Sequence, residues 1–358
     1  MTSGLSINPV LSKGEWVTVR GGGVFGLSCA FELARRGVSV RVIERAGIGA
    51  GASGGTVGAL APHVPEQWEP KKQFQLESLL MAEGFWADVA RVGGGQPGYG
   101  RVGRLQPLLD QVQIDRARER KASAAVHWQD NARWEVIPAQ GAGPLAPASP
   151  TGLLVHDTLS ARINPRACVD ALHAALRAIG AQVIIGEGDE RGQVLHATGV
   201  AGLFDLCERF GTEVGNGVKG QAAVFAYDAG AAPQTYAENL HVIAHANGTV
   251  AVGSTSERYY DDPNSTDAQL DTLIAKARRI CPVLAEAPVI NRWADLRPRA
   301  KTRAPMLGAW PDRAGHFIAN GGFKIGLGMA PKVAQVMADL MLEGKNTIPD
   351  GFHVEDSL

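Results

Sequence analysis

VTVRGGGVFGLSCAFELARRGVSVRVIER, residues 17–45, is the stretch from which the fold is read. Val17-Thr18-Val19 is a short β-type run that passes directly into Gly21-Gly22-Gly23-Val24-Phe25-Gly26. A helical pattern follows, with Leu27, Ala30, Phe31 and Ala34 spaced to form one apolar face. Gly37 ends that helix, residues 38–43 read as a second strand, and Glu44 closes it. The result is a strand–helix–strand unit carrying G-x-G-x-x-G at Gly21, Gly23 and Gly26, with an acid at its end.

Each part has a physical task. Gly21 permits the tight turn out of the strand, Gly23 lets a pyrophosphate approach the backbone, and Gly26 lets helix and strand pack closely. The helix N-terminus offers free N–H groups and a partial positive charge to phosphates. Glu44 is placed to accept hydrogen bonds from a ribose hydroxyl. Dinucleotide binding is therefore expected. Arg20 is out of place, a charge where the first strand should end in an apolar residue, and the sequence offers no reason for it.

Outward from this unit, composition is that of an ordinary globular chain. The 358 residues suit one large domain or two interleaved ones. With 45% apolar and 20% charged residues, a full core can be buried. A net charge of −1 argues against nucleic acid or an anionic membrane as partner. No apolar run approaches the roughly 20 residues of a membrane span, and the polar residues 1–14 lack the apolar core of a signal peptide. Cys29, Cys168, Cys207 and Cys281 are scattered, with no C-x-x-C pair. Four reduced thiols, a cytoplasmic location and no metal are the expectation.

A second small-residue loop, residues 47–59, follows Glu44 and would let a flat cofactor lie against the backbone. Residues 73–92 read as a helix with Leu76, Leu79, Leu80, Phe85 and Val89 inward, residues 101–108 as a strand or hairpin, and 113–124 as a charged, solvated helix. The run 138–150, PAQGAGPLAPASP, reads as a loop crossing between domains. Asn164 and Pro165 form a cap and first position for a helix running to Ile179 and stopped by Gly180. Strands are expected at 182–185, 193–199, 221–227, 240–245, 249–253 and 316–319, and a helix at 267–280. Residues 296–299 read as an arginine-rich turn, and a final helix covers 331–342. No internal repeat is apparent.

Taken in order, several blocks resemble one family. They are Gly21 to Gly26, the loop around Ser53, INPRACVDALHAALRAIGAQV at 163–183 and ATG at 197–199. VKGQ at 218–221, VAVGST at 250–255, ADLRPRA at 294–300 and NGGFKIGLGMAP at 320–331 complete the set. Together they resemble the FAD-dependent D-amino-acid oxidase superfamily, in its glycine oxidase and sarcosine oxidase branch.

That resemblance implies an α/β fold: a doubly wound, Rossmann-like FAD domain with an interleaved α+β substrate domain of mixed sheet. The FAD domain would be residues 1–75, 150–216 and 302–358, and the substrate domain 76–149 and 217–301. It implies a pyrophosphate turn at Gly21, Gly23 and Gly26, an adenosine ribose acid at Glu44, and further cofactor contacts at Val24, Phe25, Arg45 and Ala52. It places Ser53, Gly58 and Ala59 beside the isoalloxazine and Thr198 and Gly199 in a second cofactor turn. Gly322, Phe323 and Lys324 would come close to the flavin.

For catalysis the resemblance points to Arg297, Lys324 and His241. Arg297 matches the family's carboxylate clamp, and a planar guanidinium suits bidentate carboxylate binding. Lys324 would contact the carboxylate, polarise the flavin or help activate oxygen. His241 stands where glycine oxidases tend to carry a tyrosine, or else is a histidine satisfied within a strand. The implied reaction is hydride transfer from a small amino or imino acid to flavin N5, giving an imino acid and then a keto acid. Oxygen would be the acceptor and hydrogen peroxide the product. Residues 301–310 hold no cysteine, so FAD is expected to be noncovalent. Residues 57–64 lack the arginine that sarcosine oxidases bring, and are apolar apart from His63. A dehydrogenase using another acceptor, or a nonenzymatic FAD-binding protein, are the other readings. The substrate's identity and chirality stay open, as does a homo-oligomer.

Overall fold

The computed structural model describes residues 14–358, so the expectation about the first fourteen residues lies, but for Gly14, outside the described residues. The opening unit forms as read. Strand Trp16–Arg20 runs into helix Val24–Arg35 and returns as strand Ser39–Glu44, parallel to the first. The helix buries Leu27, Ala30 and Phe31 against Val17, Val19 and Leu195 of the sheet beneath.

Two sheets organise the molecule. The first has six strands in the order Met306–Ala309, His316–Asn320, Gln193–His196, Trp16–Arg20, Ser39–Glu44 and Gln182–Ile185. All neighbours are parallel except the first pair. Helices Val24–Arg35, Pro70–Gly93, Pro165–Ala178 and Gly326–Glu343 pack against one another over it. The second sheet has eight strands, ordered Val289–Ala300, Gly215–Phe225, Val250–Gly253, Leu240–Ala244, Gln234–Ala237, Arg104–Pro107, Leu153–Asp157 and Trp134–Pro138. One parallel pair, Gln234–Ala237 with Arg104–Pro107, makes it mixed. Helix Ala268–Ile280 covers it, burying Leu270 and Ile274 with Phe225, Val242 and Val252. The fold is the expected α/β one, with sheets drawn from alternating pieces of the chain.

The sheets correct several expectations. Loop 139–152 does not cross between domains, because the strands on either side of it are antiparallel neighbours in the second sheet. Strand Leu153–Asp157, placed with the first sheet by its position in sequence, therefore belongs to the second. Helix Pro70–Gly93, most of it placed in the substrate region, packs on the helices of the first sheet. Residues 296–299 are not a turn but the end of the twelve-residue strand Val289–Ala300. Pro298 misled the reading; it is tolerated because this strand is the sheet's edge. The last helix starts at Gly326, with Pro331 inside it. Its glycines hid the start, since Gly328 lies where a Cβ would meet Leu79 at 3.4 Å. Helix Gln111–Trp128 is more than a solvated face, burying Ile114, Ala117, Ala124 and Trp128.

Asn164 caps its helix as read, accepting from the Ala167 N–H at 3.1 Å. All four cysteines are free, three of them buried. No described helix is long and apolar enough to cross a membrane, and the described residues hold no cluster of metal ligands.

Candidate active site

The C-terminal ends of the parallel strands open into a cleft of 1760 Å³, whose far wall is the second sheet. Ordinary small-molecule pockets occupy about 300–1,000 Å³, so this one suits a ligand as extended as a dinucleotide together with a second molecule.

At one end the glycine turn is built by backbone contacts. Gly21 has φ +112°, and a Cβ there would fall on the Ala197 carbonyl. Its N–H donates to Ile43 O at 2.9 Å, while the Ala197 N–H donates to Arg20 O at 2.7 Å. Three strands are thereby drawn together at the turn. Gly23 is the N-cap of helix Val24–Arg35 and supplies no side-chain cap. Ser53 takes that role, its Oγ accepting from the Val24 N–H at 2.9 Å. The rest of the helix's first turn keeps N–H groups without intrahelical partners, as an anion requires. Glu44 accepts from the Gly22 N–H at 2.6 Å and the Ala46 N–H at 2.9 Å, so its carboxylate is held at the cleft's edge.

Gly21, Gly23, Val24, Phe25, Glu44 and Arg45 all line the cleft, as do Ala52, Ser53, Ala59, Thr198 and Gly199. Gly26 and Gly58 do not. A Cβ at Gly26 would strike Gly21 O and one at Gly58 would strike Ile163 O, so both serve close backbone packing. Arg20 is explained by an ion pair with Glu190, in the loop 186–192 between strands Gln182–Ile185 and Gln193–His196. Gly186, Glu187 and Gly188 of that loop line the cleft with it.

At the other end, Arg297 reaches in from the edge strand and is 8% exposed. Its Nη1 donates to Ser254 Oγ at 2.5 Å, and its Nη2 donates to Thr255 O at 2.6 Å and Lys219 O at 3.2 Å. Nε is buried with no partner. A Cβ at Gly220 would lie 2.5 Å from the guanidinium Cζ, so only glycine leaves room for this placement. Burial pulls the Arg297 pKa down to about 10, with Glu257 opposing the shift. The group stays cationic near neutral pH, and an anion entering the cleft would offset its desolvation.

Gly322, Phe323 and Lys324 come to the same end. The Phe323 N–H donates to Pro298 O at 2.9 Å, tying the glycine-rich segment to the Arg297 strand. Arg297 and Lys324 both stand over the Phe323 ring, at 5.5 and 5.7 Å from its centroid. Lys324 is exposed to the open cleft, yet crowding by its walls, and then the Arg297 charge, lower its pKa. His241 lines the cleft opposite Tyr236, with ring centroids 4.6 Å apart. Burial, then the charges of Arg104 and Lys324, bring its pKa down to about 3, so it is neutral at pH 7.

Several lining residues carry no local signal in the sequence. Arg104 is buried, paired with Asp157 at 2.8 Å and set over the Tyr236 ring. Gln106, Tyr236 and Trp293 come from three different strands and Ser254 from just past the end of a fourth, and only strand order gathers them. His63, noted as the one polar group in its loop, also lines the cleft, with its Nδ1 2.6 Å from Gln75 Oε1. The arrangement thus offers amides and a carboxylate at one end, fitted to a dinucleotide, and unpaired cations at the other, fitted to an anion.

Residues 17–340 match the family model DAO, FAD dependent oxidoreductase. The chain is 27% identical to the glycine oxidase of Pseudomonas aeruginosa, over 94% of this chain and 97% of that one. It is also 27% identical to the glycine oxidase of Pseudomonas putida, over 91% and 94%. Among solved structures, the glycine oxidase of Geobacillus kaustophilus superposes with a TM-score of 0.80 at 21% identity, covering 93% of this chain and 96% of that one. The iminodiacetate oxidase of Chelativorans sp. BNC1 superposes with a TM-score of 0.79 at 20% identity, covering 94% and 98%.

Proposed function

Because the chain belongs to the DAO family of FAD-dependent oxidoreductases, we propose that it oxidises the C–N bond of a small amino or imino acid. The observation that carries this reading is Arg297, a buried guanidinium with no carboxylate ion-pair partner among the described residues, facing a cleft whose other end suits a dinucleotide. The glycine oxidases among its relatives support it.

Gly21, Gly23, Val24 and Phe25 would hold the pyrophosphate of FAD, Glu44 and Arg45 its adenosine end, and Ala52, Ser53 and Ala59 would lie along it. Thr198 and Gly199 would form a second turn against it, and Gly322, Phe323 and Lys324 would border the ring system. Bound FAD supplies the two-electron acceptor for the hydrogen on the substrate's α-carbon.

The rest falls to the chain's own side chains. Arg297 binds the substrate carboxylate through the N–H groups left to it, and Ser254, Thr255 O and Lys219 O hold the guanidinium in place. A carboxylate fixed in this way orients the α-carbon, so that binding converts into positioning. His241 is neutral and adds a hydrogen-bonding ring without a charge. Lys324 is a second cation at the reacting end, placed to stabilise negative charge as it develops. A substrate amine that reacts in its neutral form requires no separate base.

Oxygen as the acceptor, noncovalent FAD and a cytoplasmic location belong to the same proposal; the four free thiols agree with the last. The test is an anaerobic screen of amino and imino acids that follows the oxidised flavin band, with air admitted afterwards. Bleaching by at least one compound, reversed by air with release of peroxide, is expected. If none bleaches the band, the proposal is wrong; bleaching that air does not reverse would transfer the role of acceptor to another molecule.

A further inference from the structure

Resting on that reading of the cleft, we propose that the substrate is an amino dicarboxylate: one carboxylate goes to Arg297, and a second to a pocket formed by Lys324, His241 and Gln106. The second sheet builds this pocket. Gln234 pairs with Arg104 and Thr235 with Leu105, which brings Gln106 beside Tyr236; Tyr236 in turn pairs with His241. Gln106, Tyr236 and His241 thus form a row, and all three line the cleft.

Two polar atoms in this row are buried without a partner, Nε2 of Gln106 and Nδ1 of His241. A native fold leaves few such atoms, and a ligand oxygen is what an amide N–H and a ring N–H would take. Lys324 completes the set. It pairs with no carboxylate among the described residues, and it is near enough for its charge to act on both His241 and Arg297. Arg104 stands behind the row, but Asp157 already neutralises it.

Charge calls for two sites, and the register sets them side by side. Arg297 and Lys324 are two cations without carboxylate partners, and a monocarboxylate balances only one of them. Arg297 lies on the edge strand, and two strands intervene before that of His241. At about 4.8 Å per strand, these backbones are spaced by about 14 Å across the sheet. Arg297 reaches back across much of that span, since its terminal nitrogens bond Ser254 and Thr255, and Ser254 follows Gly253, the register partner of His241. Lys324 lines the same cleft and acts by its charge on His241, as the Arg297 charge acts on it, so a second carboxylate on a small molecule would meet it.

The test uses the FAD-loaded protein and ligands that cannot be oxidised. Malonate, succinate and glutarate are titrated against propionate, butyrate and valerate, and binding is read from the shift of the visible flavin band. At least one diacid should bind tenfold or more tighter than the monoacid of equal length. Lys324→Met should erase that preference, weakening each diacid by about tenfold more than it weakens the matching monoacid, because the charge deletion falls on the ligand that uses it. His241→Phe, read the same way, should narrow the preference and guards against a poorly folded lysine variant. Equal binding of mono- and diacids in the unmodified protein overturns this inference and leaves amino-acid oxidation standing. So does a Lys324→Met variant that weakens both series alike, since the lysine would then serve the shared carboxylate or the flavin. If no acid shifts the band and no amino acid bleaches it, both readings fall.

Discussion

Arg297 is where a single side chain has most at stake. A carboxylate drawn into this cleft loses its hydration, and removing one partner of a buried ion pair typically costs about 3–5 kcal/mol. Arg297→Ala should therefore lower kcat/KM for an amino acid by roughly two to four decades, with FAD content and visible spectrum unchanged. Arg297→Lys should restore part of the loss, as the charge returns without the fork. An amine lacking a carboxylate should be indifferent to both, and a loss below about tenfold, roughly 1.4 kcal/mol, would mean that the carboxylate is held elsewhere. Gly220 carries a related expectation. A methyl group there would sit 2.5 Å from the Arg297 Cζ, so Gly220→Ala must displace the guanidinium. A displacement of about 1 Å can cost up to 10²-fold in rate, and KM for the amino acid should rise by about tenfold or more. Steady-state kinetics with and without a carboxylate on the substrate separate this from general damage, and an unchanged KM would refute the placement.

The strand–helix–strand unit is the element on which cofactor binding turns. Glu44 restrains the Gly22 and Ala46 amides, and its position suits a ribose, far from the reacting carbon. Glu44→Ala is expected to weaken FAD binding, measured by titrating apoprotein, while the order of preference among substrates stays the same. A changed preference would sever the unit from its assigned role. This element was legible because its signals are local: glycines at fixed spacing, one apolar helix face, and a terminal acid within a few turns of chain. The Val289–Ala300 strand was not. Proline and arginines at its end read as a turn, and only its pairing along Gly215–Phe225 shows it extended. Ser53 was also half read, since its proximity to the helix that it caps is a contact across the sheet's end rather than a feature of its own segment.

For the molecule as a whole, two measurements bear on how cofactor and fold are held. Residues 301–310 carry no cysteine, so acid precipitation should leave the flavin in the supernatant; yellow colour retained in the pellet would disprove noncovalent binding. Stability should also depend on pH in a stated direction. Burial lowers the pKa of His241 from 6.5 to about 3. Burial, followed by the His316 charge, lowers that of His196 from 6.5 to about 4. Below pH 6.5 the unfolded chain takes up protons that the fold refuses, so stability is present above that pH and is lost toward the folded values. Each histidine contributes a slope of about 1.4 kcal/mol per pH unit in that window. Urea midpoints at pH 7 and pH 5 should differ accordingly, and equal midpoints would contradict the burial of these rings. What the sequence by itself determined is the dinucleotide turn and most helices with their caps, because hydrophobic period, capping and glycine spacing act over a few neighbouring residues; the alternation of pieces came from the family resemblance alone. Only the tertiary structure decided which strands share a sheet, that 139–152 stays within one, why Arg20 is charged, and that Gln106, Tyr236, His241 and Arg297 face a single cleft. Those facts rest on strand order and register between segments far apart in the chain, and no local pattern of residues encodes them.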